Sequence, residues 1–542
     1  MASLLKAQLL YVIYYKYVLH TANDLYLKGG DSTRQGLRIV DTEAQNIKAA
    51  YGWCLANSER EQNAADLLID FPYVGAQVLH LRLPPRDYIN WLEPALDLAR
   101  LLHNRYLEAA YLTNIALNYL ALNNAKQALS YLEEALPITR ELNDLRGESI
   151  VLTNIANAYV GLGEYRQAKE VIEQCLFIKQ SLGDIEGQAN AFANLGFMSF
   201  LLGEAKEAID LYKPALAIMQ AAEDLYAESI AHMNMGNAYM QLGEFKQAID
   251  CYERTISISR DLGDKKTTCI ALSGLGSAYN NLGDRSRSTD TRPIKFYEEA
   301  LSLSRLIDDK LTEAHILGNI GIYYAERGNA GRALEFINRK LSIAREYGSQ
   351  RHEAAALNSL SSIHRDLVQL KQAIECGKQS LAISLELGDQ RGEADALSNL
   401  GHAHTALGEY DKAIKVHERQ LAIAHDLKYP NGKADALIQL ADIYSELKRP
   451  QDALALYQQA LEIIRAIRNR PAEASCLWSM SSCQDDLGER ENAVLSAQTA
   501  LEIYTELGDE RASEVRKLLD YLNNQSKLRT ALNRFIHRVR SK

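Results

Sequence analysis

Six asparagines recur at equivalent places in this 542-residue chain: Asn114, Asn154, Asn194, Asn234, Asn319 and Asn399. The first four stand 40 residues apart. A carboxamide carries two donors and an acceptor, so a ladder of them can hold an extended peptide backbone whatever its side chains. The same groups could instead bond to neighbouring backbone and fix how successive units stack. Asn157 and Asn237 follow three residues after two of them. Nothing obvious in the repeated segment needs this second pair, so they are the better candidates to face a ligand. Further along, equivalent positions bring Asp395, His402, Asp435, Asp442, Glu446, Asp485 and Asp486. With no paired cations on the same stripe, these cannot all be core.

Catalytic chemistry has no visible carrier. The chain lacks HExxH, Gly-x-Ser-x-Gly, a Cys-His pair at a known spacing and a phosphate-binding loop. His402 and His404 lie two apart on a predicted helix and point to different faces, while His417 and His425 fall in the next helix. No metal, cofactor or catalytic residue is therefore expected, and the chain reads as a non-enzyme. An enzyme subunit whose activity escapes the sequence is the remaining alternative.

The element that positions these residues is a repeat. The segment Leu145 to Asp184 recurs ten times, at 105–144, 145–184, 185–224, 225–264, 265–309, 310–349, 350–389, 390–429, 430–469 and 470–509. A fixed period of this length means stacked helix pairs, each contacting only its neighbours. Leu152, Ile155 and Tyr159 show the apolar spacing of a buried helix face. Leu-Gly-Asp runs such as 182–184, 262–264, 387–389 and 507–509 end the second helix. Glycine can take the left-handed conformation that closes a helix, and aspartate can cap the next one. The expected fold is all-α, a right-handed superhelical solenoid of helix-turn-helix repeats.

The repeat's fourth copy carries Asn234, Met235, Gly236, Tyr239, Leu242, Gly243, Glu244, Phe245, Ala248, Tyr252 and Glu253. This pattern resembles the tetratricopeptide repeat (TPR) family over 105–509. Its 40-residue period is similar to that of kinesin light chains, G-protein-linked spindle adaptors and bacterial regulators. HEAT-like repeats share the period but not the Gly-x-x-Tyr chemistry. The resemblance implies a concave groove in which asparagines hold a peptide. Upstream, Glu43, Asn46, Ala49, Ala50 and Trp53 are similar to the segment joining the ATPase part of bacterial STAND (NB-ARC-like) regulators to their TPR sensor. Since the chain has no phosphate loop, this resemblance implies a sensor half working with an effector or ATPase partner through its N-terminal segment.

Four regions follow: an N-terminal helical junction or capping segment (1–64), a degenerate repeat (65–104) in which Trp91 to Leu96 replaces the usual second helix, ten repeats (105–509), and a basic C-terminal capping helix (510–542). Helices are expected at about 3–28 and 40–57 around a Gly29-Gly30 break. The fifth copy has five extra residues within 285–292, either a tolerated loop or a basic contact. The seventh and tenth copies lose Gly-x-x-Tyr at 361–364 and 481–484, which predicts looser packing there. In the final helix, Leu528, Leu532, Phe535, Ile536 and Val539 share a face beside six cations.

Along the inner stripe, early copies offer Leu117, Ile150, Phe197, Phe200, Ile230, Met233 and Met240, and late copies offer the acidic set. The expected groove is apolar in its N-terminal half and acidic in its C-terminal half. It would suit a protein segment with an apolar anchor and a basic stretch. The expected peptide-contacting residues are Asn114, Asn154, Asn157, Asn194, Phe197, Asn234, Asn237, Asn319, Asn399, His402, Asp435 and Asp442. A ligand-sensing scaffold in signalling or defence is the leading function, with a passive adaptor as the alternative. A net charge of −10 argues against general nucleic-acid binding, except weakly through the basic tail. Seven scattered cysteines suit a reducing cytosol, and no apolar run is long enough to span a membrane. The expected location is cytoplasmic.

Overall fold

The computed structural model describes residues 2–282, 290–427, 429–467 and 469–523. The chain divides into two compact units, Met1–Leu262 and Gly263–Lys542. Every regular element among the described residues is a helix. The first unit opens with α1 (Ala2–Leu27), α2 (Asp31–Asn57), α3 (Gln62–Val74), α4 (Ala76–Arg82) and α5 (Pro85–Leu101). Four hairpins follow, pairing Arg105–Ala121 with Ala125–Glu141, Leu145–Leu162 with Tyr165–Ser181, Ile185–Leu201 with Ala205–Ala221, and Leu225–Leu242 with Phe245–Asp261. The second unit holds six more, from Lys265–Leu282 with Arg292–Leu306 to Arg470–Asp486 with Arg490–Glu506. A further helix starts at residue 512. Residues 283–289 of the insertion and 524–542 of the basic tail lie outside the described residues.

The punctuation is local chemistry. Gly183 takes φ 65° and Gly388 φ 64°, and the aspartate after each caps the next helix. Asp184 Oδ1 accepts from the Gly187 N–H at 2.9 Å, and Asp389 Oδ1 from Gly392 at 3.0 Å. A second device spans the same turn. Arg140, Arg305, Arg345 and Arg465 each reach eight residues forward to Glu148, Glu313, Glu353 and Glu473, at 2.7–2.8 Å. Glu313 and Glu473 are buried, and each is met by a second cation as well, Lys310 at 3.3 Å and Arg470 at 3.2 Å, so the buried charge is paired from both sides.

Two boundaries differ from expectation. The second helix, α2, begins at Asp31, well before the predicted position near 40. Its first turns are polar and show no apolar period, but Gly36 lies so close to the Ala22 carbonyl of α1 that no side chain would fit. Close backbone approach replaces side-chain packing there. Region 65–104 forms three helices (α3 to α5) where a helix pair was expected. It is tied to α2 by Tyr51, whose ring stacks on Trp91 at 4.0 Å and whose hydroxyl donates to the Trp91 carbonyl at 2.6 Å.

Each unit has first helices of neighbouring repeats that touch, as Arg105–Ala121 does Leu145–Leu162 and Gln350–Asp366 does Gln390–Ala406. Second helices of neighbouring repeats make slight contact at most. A stack closer on one side than the other curves, so the first helices line the inner side of each unit.

Candidate ligand-binding surface

Four of the inner stripes rest on a glycine-ring seat. Gly196, Gly236 and Gly276 lie beneath the rings of Tyr212, Tyr252 and Tyr297 from the second helix. A Cβ on these glycines would stand 2.9, 2.9 and 2.8 Å from a ring carbon. Gly401 lies under His417 in the same way. The ring thus reaches across the hairpin and delivers its polar end to the stripe. Tyr252 donates to Asn237 Oδ1 at 2.6 Å, Tyr297 lies 3.0 Å from Ser277 Oγ, and Tyr457 bonds Asp442. Where Phe197 holds that place, the buried Tyr212 hydroxyl has no partner among the described residues.

The recurrent asparagines separate into classes. Asn319 Nδ2 donates to Ser273 Oγ at 3.0 Å, in the preceding repeat. Asn399 Nδ2 donates to the Asn358 carbonyl at 3.2 Å and to its Oδ1 at 2.7 Å, again one repeat back. These two tie repeats together. Asn154 is buried at 7% exposure. Asn114, Asn194 and Asn234 are half-buried, without a side-chain partner among the described residues. Asn157 is exposed. Asn237 is not spare as its sequence context implied, because the Tyr252 hydroxyl uses its acceptor.

In the second unit a polar network lies on the stripe. Asp435 Oδ2 accepts from Ser398 Oγ at 2.9 Å and from Gln420 Nε2 at 3.0 Å. Gln420 Oε1 lies 2.8 Å from His417 Nδ1, and the His417 ring meets His402 edge-on at 5.7 Å. Arg365 Nη1 lies 3.1 Å from His402 Nδ1. The stripe therefore does carry a cation, contrary to expectation, and Asp485 is paired with Arg490. Burial pushes the His402 imidazole down to about 4, so it is neutral at neutral pH and can accept from the guanidinium. Asp395 is exposed, yet desolvation by the surrounding protein, and then the neighbouring Asp389 and Asp435, push its carboxyl up to about 6 against the pull of Arg391. Solvent contact together with enclosure is what a concave wall produces. Asp442 is raised as well, by burial first and then by Asp435 and Glu446.

The model of the tetratricopeptide repeat family matches residues 106–181, 352–426 and 432–506, and a second tetratricopeptide model matches 229–262. These stretches of the chain are tetratricopeptide repeats. No curated protein matches it. Among solved structures, BtubC (BKLC) from P. vanneervenii is 23% identical, covering 41% of this chain and 92% of its own at a TM-score of 0.36. A Rap protein complexed with Competence and Sporulation Factor is 15% identical, covering 67% and 99% at 0.47. A STAND protein with a tetratricopeptide repeat sensor from Pyrococcus horikoshii is 16% identical, covering 67% and 55% at 0.42.

In the TPR units, contacts on the inner face follow fixed separations that local patterning does not display. Arg365 meets His402, and Ser398 meets Asp435, each across 37 residues. Asn358 and Asn399 meet across 41. One repeat length, less or plus a fraction of a helical turn, would have found Arg365. The early stripe stays apolar, with Leu117, Phe197, Phe200, Ile230, Met233 and Met240 half-buried and Ile150 exposed. The seventh TPR has no large ring in its seat. Gly377 fills that place, and Leu400 of the next repeat packs against it where a Cβ would stand 2.9 Å away.

Proposed function

We propose that this TPR chain is a scaffold that binds protein segments along the inner faces of its first helices, as the ligand-sensing part of a regulator. The observation that carries the binding reading is Asp395, a carboxylate open to solvent but walled in by protein, with Asp435 and Asp442 on the same stripe. A solvent-open carboxylate in a concavity, with two more carboxylates beside it, suits a lysine- or arginine-bearing segment. The apolar stripe of the first unit suits an apolar anchor, with exposed Asn157 offering a carboxamide for its backbone. The regulator reading rests on the junction-like segment in α2. There Asn46 Nδ2 donates to Glu43 Oε2 at 2.7 Å and its Oδ1 accepts from the Tyr11 hydroxyl at 3.1 Å, joining α2 to α1.

The test is fluorescence anisotropy with labelled peptides that share an apolar anchor and differ only in a basic or acidic stretch. The basic peptide should bind more tightly at pH 7.5 than at pH 5, because ionised Asp395 attracts it and protonated Asp395 does not. Asp395→Asn should remove most of that pH dependence. Equal binding of basic and acidic peptides would remove the charge argument, and unchanged affinity in Asn157→Ala would move the anchor off the first unit's stripe.

A further inference from the structure

The first helix, α1, is apolar on both sides. Val12, Leu19 and Ala22 are buried against the rest of the unit. On the opposite side Leu10, Ile13, Tyr14 and Tyr17 are 59, 44, 59 and 66% exposed. Their spacing of three, four and seven residues places them in one stripe. Isolated exposed apolar residues need no explanation, but a contiguous aromatic stripe on a helix marks a contact surface. The stripe ends in opposite charges. Lys6 stands at its start and Asp24 at its end, both exposed, about 27 Å apart along the helix axis. The other lysine of the helix core, Lys16, is turned away and bonds Asp70 at 2.6 Å.

We propose that a second copy of this chain docks on this stripe, with the two α1 helices antiparallel about a two-fold axis that crosses the stripe level with residue 15. That axis places Ile13 against the partner's Tyr17, Leu10 against the partner's His20, and Lys6 against the partner's Asp24. Both ion pairs form at once, because a two-fold interface presents the same patch from each side. A parallel pairing would set Lys6 against the partner's Lys6 and Asp24 against the partner's Asp24. Mirror-placed charges flanking an uncharged aromatic centre are what a self-complementary surface requires, and an unrelated protein would need no such symmetry.

Sedimentation equilibrium on the full chain tests this. The wild type should show twice the 60.6 kDa chain mass. Lys6→Glu and Asp24→Lys should each weaken the dimer at least tenfold, since each sets like charges together at both ends. An equimolar mixture of the two variants should recover the dimer, because each mixed pair restores opposite charges at both ends. Tyr17→Glu, at an exposed site, should give a folded monomer by circular dichroism. A wild-type monomer at tens of micromolar overturns the proposal. So does a dimer indifferent to Tyr17→Glu, or a variant mixture that fails to associate.

Discussion

The Tyr252 hydroxyl donates to Oδ1 of Asn237 at 2.6 Å, across the hairpin of a single repeat. The tyrosine ring lies on Gly236, so its hydroxyl can reach only the stripe position one residue further on. Tyr297 with Ser277 and Tyr457 with Asp442 repeat the arrangement with other partners. This position on the stripe therefore serves the hairpin as well as any ligand.

Tyr252→Phe should cost about 1 kcal/mol of stability, the usual net worth of such a bond. Asn237→Ala should cost a similar amount, and the double variant less than the two together. Urea unfolding of the four proteins measures the coupling. Costs that simply add would mean that the bond contributes nothing. Asn157→Ala, at an exposed position, should leave the unfolding midpoint unchanged, so any effect it has on peptide binding is direct.

Val368 occupies the turn position that is glycine at 163, 243, 328, 408 and 488, and it takes φ 59°. A β-branched residue is strained in the left-handed region by roughly 1–2 kcal/mol. Its side chain is exposed and gains little from packing in return. Val368→Gly should raise stability by about 1 kcal/mol, after the extra freedom of glycine in the unfolded chain is offset. Gly408→Val should lower it by a comparable amount. Thermal unfolding of both variants checks the pair. A destabilised Val368→Gly would show that the valine makes a contact worth more than the strain.

What could be read from the sequence follows the range of each interaction. The caps at Asp184 and Asp389 were legible because glycine and aspartate act within a few residues of themselves. The tyrosine seat was half-legible, since Gly236 and Tyr252 both stand out while the bond to Asn237 needs the hairpin closed. Arg365 beside His402 was not legible, because it depends on the register between two repeats. The early start of α2 was hidden for a different reason: Gly36 packs by having no side chain, which hydropathy cannot display.

Lys340 supplies the last prediction. It lies on the second helix of the sixth repeat at 8% exposure, with Nζ 3.0 Å from where a Cβ on Gly318 would stand. Burial alone pushes its ammonium down to about 8 from the ordinary 10.5. His315 and His352 are held below their ordinary value by burial first and then by its charge. Between about pH 8 and 10.5 the unfolded chain binds the proton that the folded chain has released. Stability should therefore rise with pH across that window, and the full cost of burying the charge is present below it. Lys340→Met keeps the stem and removes the charge. It should stabilise the protein at pH 7 by up to about 3 kcal/mol, and the gain should shrink towards zero near pH 10.5. Urea midpoints at the two pH values decide it. Parallel shifts at both would mean that the effect is packing, and that the ammonium meets enough water to stay ordinary.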